Sequence, residues 1–299
     1  MNYLDLTINE IHEAIIKGLV TPLELVEESL RRAKNDNCNS FEYICEKEAL
    51  ENVKNLDESL KDNYLYGIPF VLKDNISTKG IPTCGSSNAL LGYIPSFTAE
   101  VCLKLEKQGA ILIGKTTLDE LAMGGSGTTG HKGKTYNPWD KSHTRHIGGS
   151  SCGSAAACAS GIVPLAIGSD TGDSARKPAA YSGLVGFKPT WGRISRYGLF
   201  PFAPSLDHVG YFTRDVYTSA VTLNVLAGRD YHDSTSSVKP VERYEEDLDK
   251  PVAGMKVAVI SGHAHQHNPY NCRYRPFFPV SQPQRCHSGR CSGNMSRRK

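Results

Sequence analysis

Apolar positions recur at helical spacing near the start of the chain and in short unbroken runs after about residue 66. Thr7 with Glu10 three positions on forms a capping box, and Gly18 follows Ile15, Ile16 and Lys17 as a stop. Thr21-Pro22-Leu23-Glu24 repeats the device, with proline at the first helical position, where a missing N–H costs nothing. Leu25, Val26 and Leu30 suit one buried face of that second helix. A third helix is expected over Lys47 to Leu60, with Ala49, Val53, Leu56 and Leu60 in register. From Tyr66 onward, apolar runs at Ile68 to Leu72, Ile111 to Ile113 and Ile162 to Ile167 read as strands. Helices fall between them, one expected over Thr98 to Gln108, capped by Thr98 and stopped at Gly109. Val252 to Ile260 reads as one more buried strand. Strands alternating with helices predict an α/β fold.

Composition narrows this picture. At 299 residues, 39% hydrophobic and 22% charged, the chain can bury a sizeable core. Fifteen of its 28 glycines lie in residues 124–198, interrupted by apolar strands, so they mark site-forming loops rather than a flexible linker. The formal charge of +3 divides unevenly. Residues 1–260 carry 27 basic against 31 acidic side chains, a net of −4, and residues 261–299 carry seven basic and no acidic ones. A nucleic-acid footprint over the body is therefore not supported. Residues 229–250 read as an exposed connection. The stretch 261–299 lacks Leu and Ile as well as acids, shows no periodicity, and is expected to be a disordered tail resembling a shifted reading frame. Three segments are expected: 1–62 helical, 63–260 a catalytic core, and the tail. The start lacks the order of a signal peptide, and no apolar run approaches a membrane span. Nine cysteines without a C-x-x-C pair suit a reducing cytoplasm. Neither they nor His263, His265 and His267 match a common metal spacing, so no metal is expected.

Gly109-Ala-Ile-Leu-Ile-Gly114-Lys115-Thr116 fits the phosphate-loop string G-x-x-x-x-G-K-[ST] letter for letter. A phosphate loop needs free backbone N–H groups after a strand and before a helix. Here the intervening residues are a buried strand preceded by a helix, and the match is a decoy. Three other segments carry chemistry together. The first is Gly67-Ile-Pro-Phe-Val-Leu-Lys73-Asp74-Asn75, a lysine ending an apolar strand. The second is Gly148-Gly149-Ser150-Ser151-Cys152-Gly153-Ser154, and the third is Gly168-Ser169-Asp170-Thr171-Gly172-Asp173-Ser174-Ala175-Arg176. A serine hydroxyl needs a base to become a nucleophile, and a buried lysine can be that base when neutral. Ser174 is expected to begin a helix, where successive N–H groups can face a developing oxyanion. Singly, each segment has a plainer reading: a surface lysine, a glycine loop, a helix cap.

In combination they resemble the amidase signature family, whose core is a Gly/Ser-rich stretch followed by Gly-Ser-Asp-Thr-Gly-Gly-Ser. The resemblance covers about residues 1–260 and roughly the first half of a usual member, so a truncated or frameshifted chain is expected. It implies a mixed β-sheet flanked by helices, incomplete at the C-terminus. It also implies a Ser–cis-Ser–Lys triad: Ser174 as nucleophile, Ser150 as bridge, and Lys73 as terminal base. Backbone N–H groups of Thr171, Gly172, Asp173 and Ser174 would hold the oxyanion, and Asp170 and Arg176 would brace the loop. Asp173 departs from the family's second glycine and is expected to place a carboxylate beside the oxyanion site. Cys152 and Ile147 are further departures.

The strings Lys115–Gly124, Ser195–Leu199 and Ser205–Gly210 point to the family's tRNA-dependent amidotransferase branch. There the implied role is glutamine hydrolysis, with ammonia passed on to convert Glu-tRNA(Gln) to Gln-tRNA(Gln). The amidotransferase's B and C subunits are implied as partners, with ATP and Mg used by the B subunit and no cofactor in this chain. A stand-alone amidase, or an inactive fragment that can still only bind its partners, are the competing expectations.

Overall fold

The computed structural model describes residues 2–255. The chain divides into a unit ending at Lys250 and a second beginning at Pro251. Of the second, residues 251–255 form an exposed turn in which the Met255 N–H donates to the Val252 carbonyl. The rest of the strand expected over Val252 to Ile260, and the whole 261–299 tail, lie outside the described residues.

Both opening helices start where the sequence places them. In α1 (Ile8–Ile16) and α2 (Pro22–Lys34), Thr7 and Thr21 accept from the N3 backbone while Glu10 and Glu24 reach back to the cap N–H. The chain then forms β1 (Phe41–Ile44) and α3 (Glu46–Lys54). Helix α3 is shorter than the apolar register suggests, because Asn55 ends it and Asp57 caps a separate 3-10 turn over Glu58–Leu60. After β2 (Pro69–Lys73) comes α4 (Glu100–Glu106). Thr98 does not cap α4. Its hydroxyl accepts from the Lys79 N–H at 3.0 Å, and Ala99 caps the helix with no side-chain bond.

The remaining elements are β3 (Ile111–Thr116), α5 (Cys152–Ala159), β4 (Leu165–Asp170), α6 (Arg176–Ser182), β5 (Val185–Phe187), β6 (His208–Thr213) and α7 (Val216–Leu226). They build one six-stranded mixed sheet of order β1-β3-β2-β4-β6-β5. Its centre, β3-β2-β4, is parallel, and β1, β6 and β5 join antiparallel. The segment 1–62 thus supplies an edge strand as well as helices.

Alternate side chains of the central strands enter different cores, which is why these strands read as continuous apolar runs. Phe70, Leu72, Leu112, Leu165, Ile167 and Tyr211 pack with α1, α4 and α7. Val71, Ile113, Ala166 and Phe212 pack with α3, α5 and α6. Residues 229–250 are mostly exposed, as expected, but are pinned to the body at a few buried positions. Asp230 accepts from the Ser195 hydroxyl at 2.5 Å, Asp233 accepts from the Arg196 N–H at 2.9 Å, and both carboxylates are buried.

Candidate active site

The site forms where the C-terminal ends of β2 and β4 meet the start of α5. Lys73 is the last residue of β2, on the same side as Val71 by strand alternation, and is fully buried. Its Nζ lies 2.7 Å from Ser150 Oγ and 2.8 Å from Ser169 Oγ. Ser169, near the end of β4, also accepts from Asn75 Nδ2 at 3.1 Å. Burial drives the Lys73 amine down to about 7, and the charges of Asp119, Asp170 and Asp207 limit the fall. A lysine of this kind is a large fraction neutral near pH 7, which a surface lysine is not. The plainer reading of Lys73 as a surface charge is excluded by its burial.

Ser150 is fully buried, and the Gly149–Ser150 peptide is cis. The residue after it ties the three segments together. Ser151 Oγ donates to the Ser169 carbonyl at 3.0 Å and accepts the Ser169 N–H at 3.2 Å. Its own N–H donates to the Ser174 carbonyl at 3.1 Å, which fastens Ser174 beside the Ser150–Ser151 pair. Helix α5 is stitched to the sheet by Ser154, which donates to the Ile167 carbonyl at 2.9 Å and pairs with Thr116 Oγ1 at 2.7 Å.

Ser174 lies in a turn two residues before α6 rather than beginning that helix. Its side chain is almost buried, and among the described residues its hydroxyl makes no hydrogen bond. The structure therefore unites Lys73 with Ser150 and brings Ser174 alongside without closing the Ser150–Ser174 contact. Hydrogen bonds of this type are commonly long or open before substrate binds. Nor do the N–H groups of Thr171, Gly172, Asp173 and Ser174 donate to any acceptor among the described residues. A side-chain carbon placed on Gly172 would meet nothing within 4 Å, so this row of donors borders open space.

The loop is braced from both ends. Asp170 is fully buried and accepts from the Ala175 and Arg176 N–H groups at 3.0 and 3.2 Å. Arg176 adds a two-pronged contact of 3.1 and 3.0 Å. Burial alone would raise the Asp170 carboxyl, but the guanidinium and the two N–H groups outweigh it and hold it low. Thr171 is fixed by donating to Asp207 at 2.6 Å. The Asp173 carboxylate, expected beside the oxyanion site, is half-exposed and pairs with Lys177 at 2.8 Å, which offsets part of its charge.

Three residues that hold this site together were not singled out from sequence. Ser169 and Asn75 sit inside the quoted segments, but their partners are nearly a hundred residues apart. Asp119, fully buried, accepts from the backbone N–H groups of Ser126, Gly127, Thr128 and Thr129 and shapes the adjoining loop. The phosphate-loop decoy is confirmed as a strand. Lys115 is buried in β3 with its amine on the Ile76 carbonyl and Thr83 Oγ1 at 2.7 Å each, and 3.4 Å from Asp74.

The chain is similar to known amidases. The family model "Amidase" matches residues 24–273. The chain is 44% identical over 263 residues to the A subunit of glutamyl-tRNA(Gln) amidotransferase from Streptococcus pneumoniae (strain Hungary19A-6), covering 87% of this chain and 54% of that one. It is 45% identical over 259 residues to the same protein from Persephonella marina, covering 85% and 53%. Native peptide amidase from Stenotrophomonas maltophilia superposes with a TM-score of 0.76 at 33% identity, over 83% of this chain and 53% of that one. An amidase family protein from Bacillus anthracis gives 0.77 at 32%, over 82% and 52%. The chain spans about half the length of the relatives it matches. No helix among the described residues is long and apolar enough to cross a membrane. By sequence over most of its length and by the fold of its sheet, the chain belongs to the amidase signature family.

Proposed function

We propose that this chain is the glutamine-hydrolysing A subunit of a cytoplasmic glutamyl-tRNA(Gln) amidotransferase. The observation that carries the reading is the 2.7 Å contact between Ser150 Oγ and a buried lysine amine whose pKa is pushed down to about 7. The identity to the bacterial A subunits supports the choice of substrate and complex.

In this reading the neutral Lys73 amine takes the Ser150 hydroxyl proton as Ser150 takes that of Ser174. Ser174 Oγ bonds to the side-chain amide carbon of glutamine, and the carbonyl π pair moves to oxygen. The N–H groups of Thr171 to Ser174 receive that oxyanion, a role worth roughly 3–4 kcal/mol per donor in comparable sites. The proton returns through Ser150 to the amide nitrogen, the C–N bond breaks, and ammonia leaves. Water then attacks the glutamyl ester, giving glutamate and free Ser174. The ammonia passes to the B subunit, which uses ATP and Mg to activate Glu-tRNA(Gln), while the C subunit bridges the two.

The test is ammonia release from glutamine by the full chain, alone and with the B and C subunits. Release that disappears in Ser174→Ala, together with tRNA-dependent glutamine formation, is the expected result. Release unchanged in Ser174→Ala would remove the nucleophile assignment. A second reading, a stand-alone amidase, is favoured by the close superposition on peptide amidase. It predicts ammonia release from other amides and no association with the B subunit. Association with the partners without any release would identify an inactive fragment.

A further inference from the structure

A second cluster of reactive side chains lies outside this site and does not depend on its reading. Glu42 is on β1, Cys84 is in the loop after β2, and His131 is in the loop after β3. Cys84 and Glu42 are 47 and 89 residues from His131, so no spacing rule unites them. Folding brings one donor atom of each to within 4.8 Å of the others. His131 Nε2 is 2.9 Å from Glu42 Oε2 and 3.8 Å from Cys84 Sγ. Both contacts fall on the same ring nitrogen. A thiol–imidazole–carboxylate relay would need them on opposite nitrogens. Convergence on one point is instead what a shared metal ion requires.

We propose that Glu42, Cys84 and His131 bind one divalent transition-metal ion of the zinc type, with water as a fourth ligand. Around a tetrahedral ion, bonds of about 2.3 Å to sulfur and about 2.1 Å to nitrogen and oxygen separate N from O by about 3.4 Å and N from S by about 3.6 Å. The N–O and N–S distances here come within about half an ångström of those. A mixed S, N, O donor set selects against magnesium and calcium, which take oxygen ligands. An outer layer is already in place. Ser86 Oγ donates to Glu42 Oε1 at 2.5 Å and fixes the carboxylate, while the Ser86 carbonyl accepts the backbone N–H of His131 at 2.9 Å and anchors its loop. The Cys84 N–H is held by Asp74 Oδ2 at 2.7 Å. Lys132 Nζ, 3.5 Å from Glu42 Oε2, competes for that oxygen but also donates to the Phe41 and Glu42 carbonyls, which keep it once the ion binds.

On binding, the Cys84 S–H bond breaks, its proton goes to solvent and its electron pair forms the S–metal bond. Thiolate and carboxylate then balance the dication. Because that proton is released, affinity rises with pH.

The test titrates the full chain with Co²⁺, whose thiolate charge-transfer band reports sulfur ligation, followed by displacement with Zn²⁺. One equivalent is expected, with the band lost in Cys84→Ser and affinity lowered at least about tenfold in Glu42→Gln and His131→Ala. The band should persist when Cys272, Cys286 and Cys291 are all changed to Ser. On the unaltered chain, stoichiometric Zn²⁺ should slow alkylation of Cys84, read on its peptide by mass spectrometry. A band that survives Cys84→Ser, no sulfur-ligated metal at all, or Cys84 alkylation indifferent to Zn²⁺ would overturn the site.

Discussion

At the scale of single residues, the site turns on what burial does to Lys73. With its pKa pushed down to about 7, the amine gains a proton as pH falls below that value and can no longer accept one. Ammonia release should therefore fall about tenfold per pH unit below about 7 and level off above it. A flat rate from pH 5 to 8 would deny Lys73 the role of base. The linkage to stability has the same sign. Between about 7 and the ordinary value of 10.5, the unfolded chain holds a proton that the folded chain lacks, so this group's contribution to stability rises with pH. Ser169 is the positioning residue. It occupies one amine hydrogen of Lys73 at 2.8 Å and leaves the lone pair free to face Ser150. In Ser169→Ala we expect kcat to fall about tenfold or more with KM little changed, and the pH midpoint to move. Ser169→Thr, which keeps the hydroxyl, should restore part of the loss. The contact of Lys73 with Ser150 was legible because each lies in a distinctive string. Ser169 was not, because its partner is 96 residues away and a serine in a strand carries no signal of its own.

At the scale of elements, legibility followed the range of the forces involved. The capping boxes at Thr7 and Thr21 are settled within four residues, and both stand as read. Thr98 looks like the same kind of cap, but its hydroxyl is claimed by Lys79, 19 residues away, and no local rule shows that. The helix expected over Lys47 to Leu60 forms but stops at Lys54, for the opposite reason. Its apolar register continues, but Asn55 and Asp57 offer the backbone better local bonds than another helical turn. The approach to α5 is the tightest of the glycine positions among the described residues. A side-chain carbon on Gly149 would sit 2.1 Å from Asp119 Oδ2, the oxygen that holds the Ser126 and Gly127 N–H groups. Gly149→Ala should lower stability by about 1–3 kcal/mol and displace Ser150, so that ammonia release falls further than unfolding explains. Urea denaturation beside an activity assay in the absence of denaturant separates the two effects. Asp119→Ala removes four backbone acceptor bonds at once and should cost more, about 3 kcal/mol or above, in the same denaturation.

At the scale of the whole molecule, charge is distributed in a way that bears on the tRNA-dependent reading. The net of −4 over residues 1–260 offers RNA no footprint, and the seven basic residues of 261–299 reverse the sign of the total. A protein that hands ammonia to a partner need not touch tRNA, so the body's charge suits the proposed role. Any affinity of the isolated chain for tRNA should then come from those seven side chains, be indifferent to sequence, and fade with salt. With about 0.7 to 0.9 counterions released per neutralised phosphate, log K against log salt can have a slope no steeper than about −6. Changing Arg273, Arg275, Arg285, Arg290, Arg297, Arg298 and Lys299 to Gln should abolish that binding and leave glutamine hydrolysis untouched, since the proposed chemistry uses none of them. Filter binding across a salt series, run beside the ammonia assay, reads both. Binding that survives the seven changes would put a footprint on the acidic body, where a local patch and not the net charge would have to account for it.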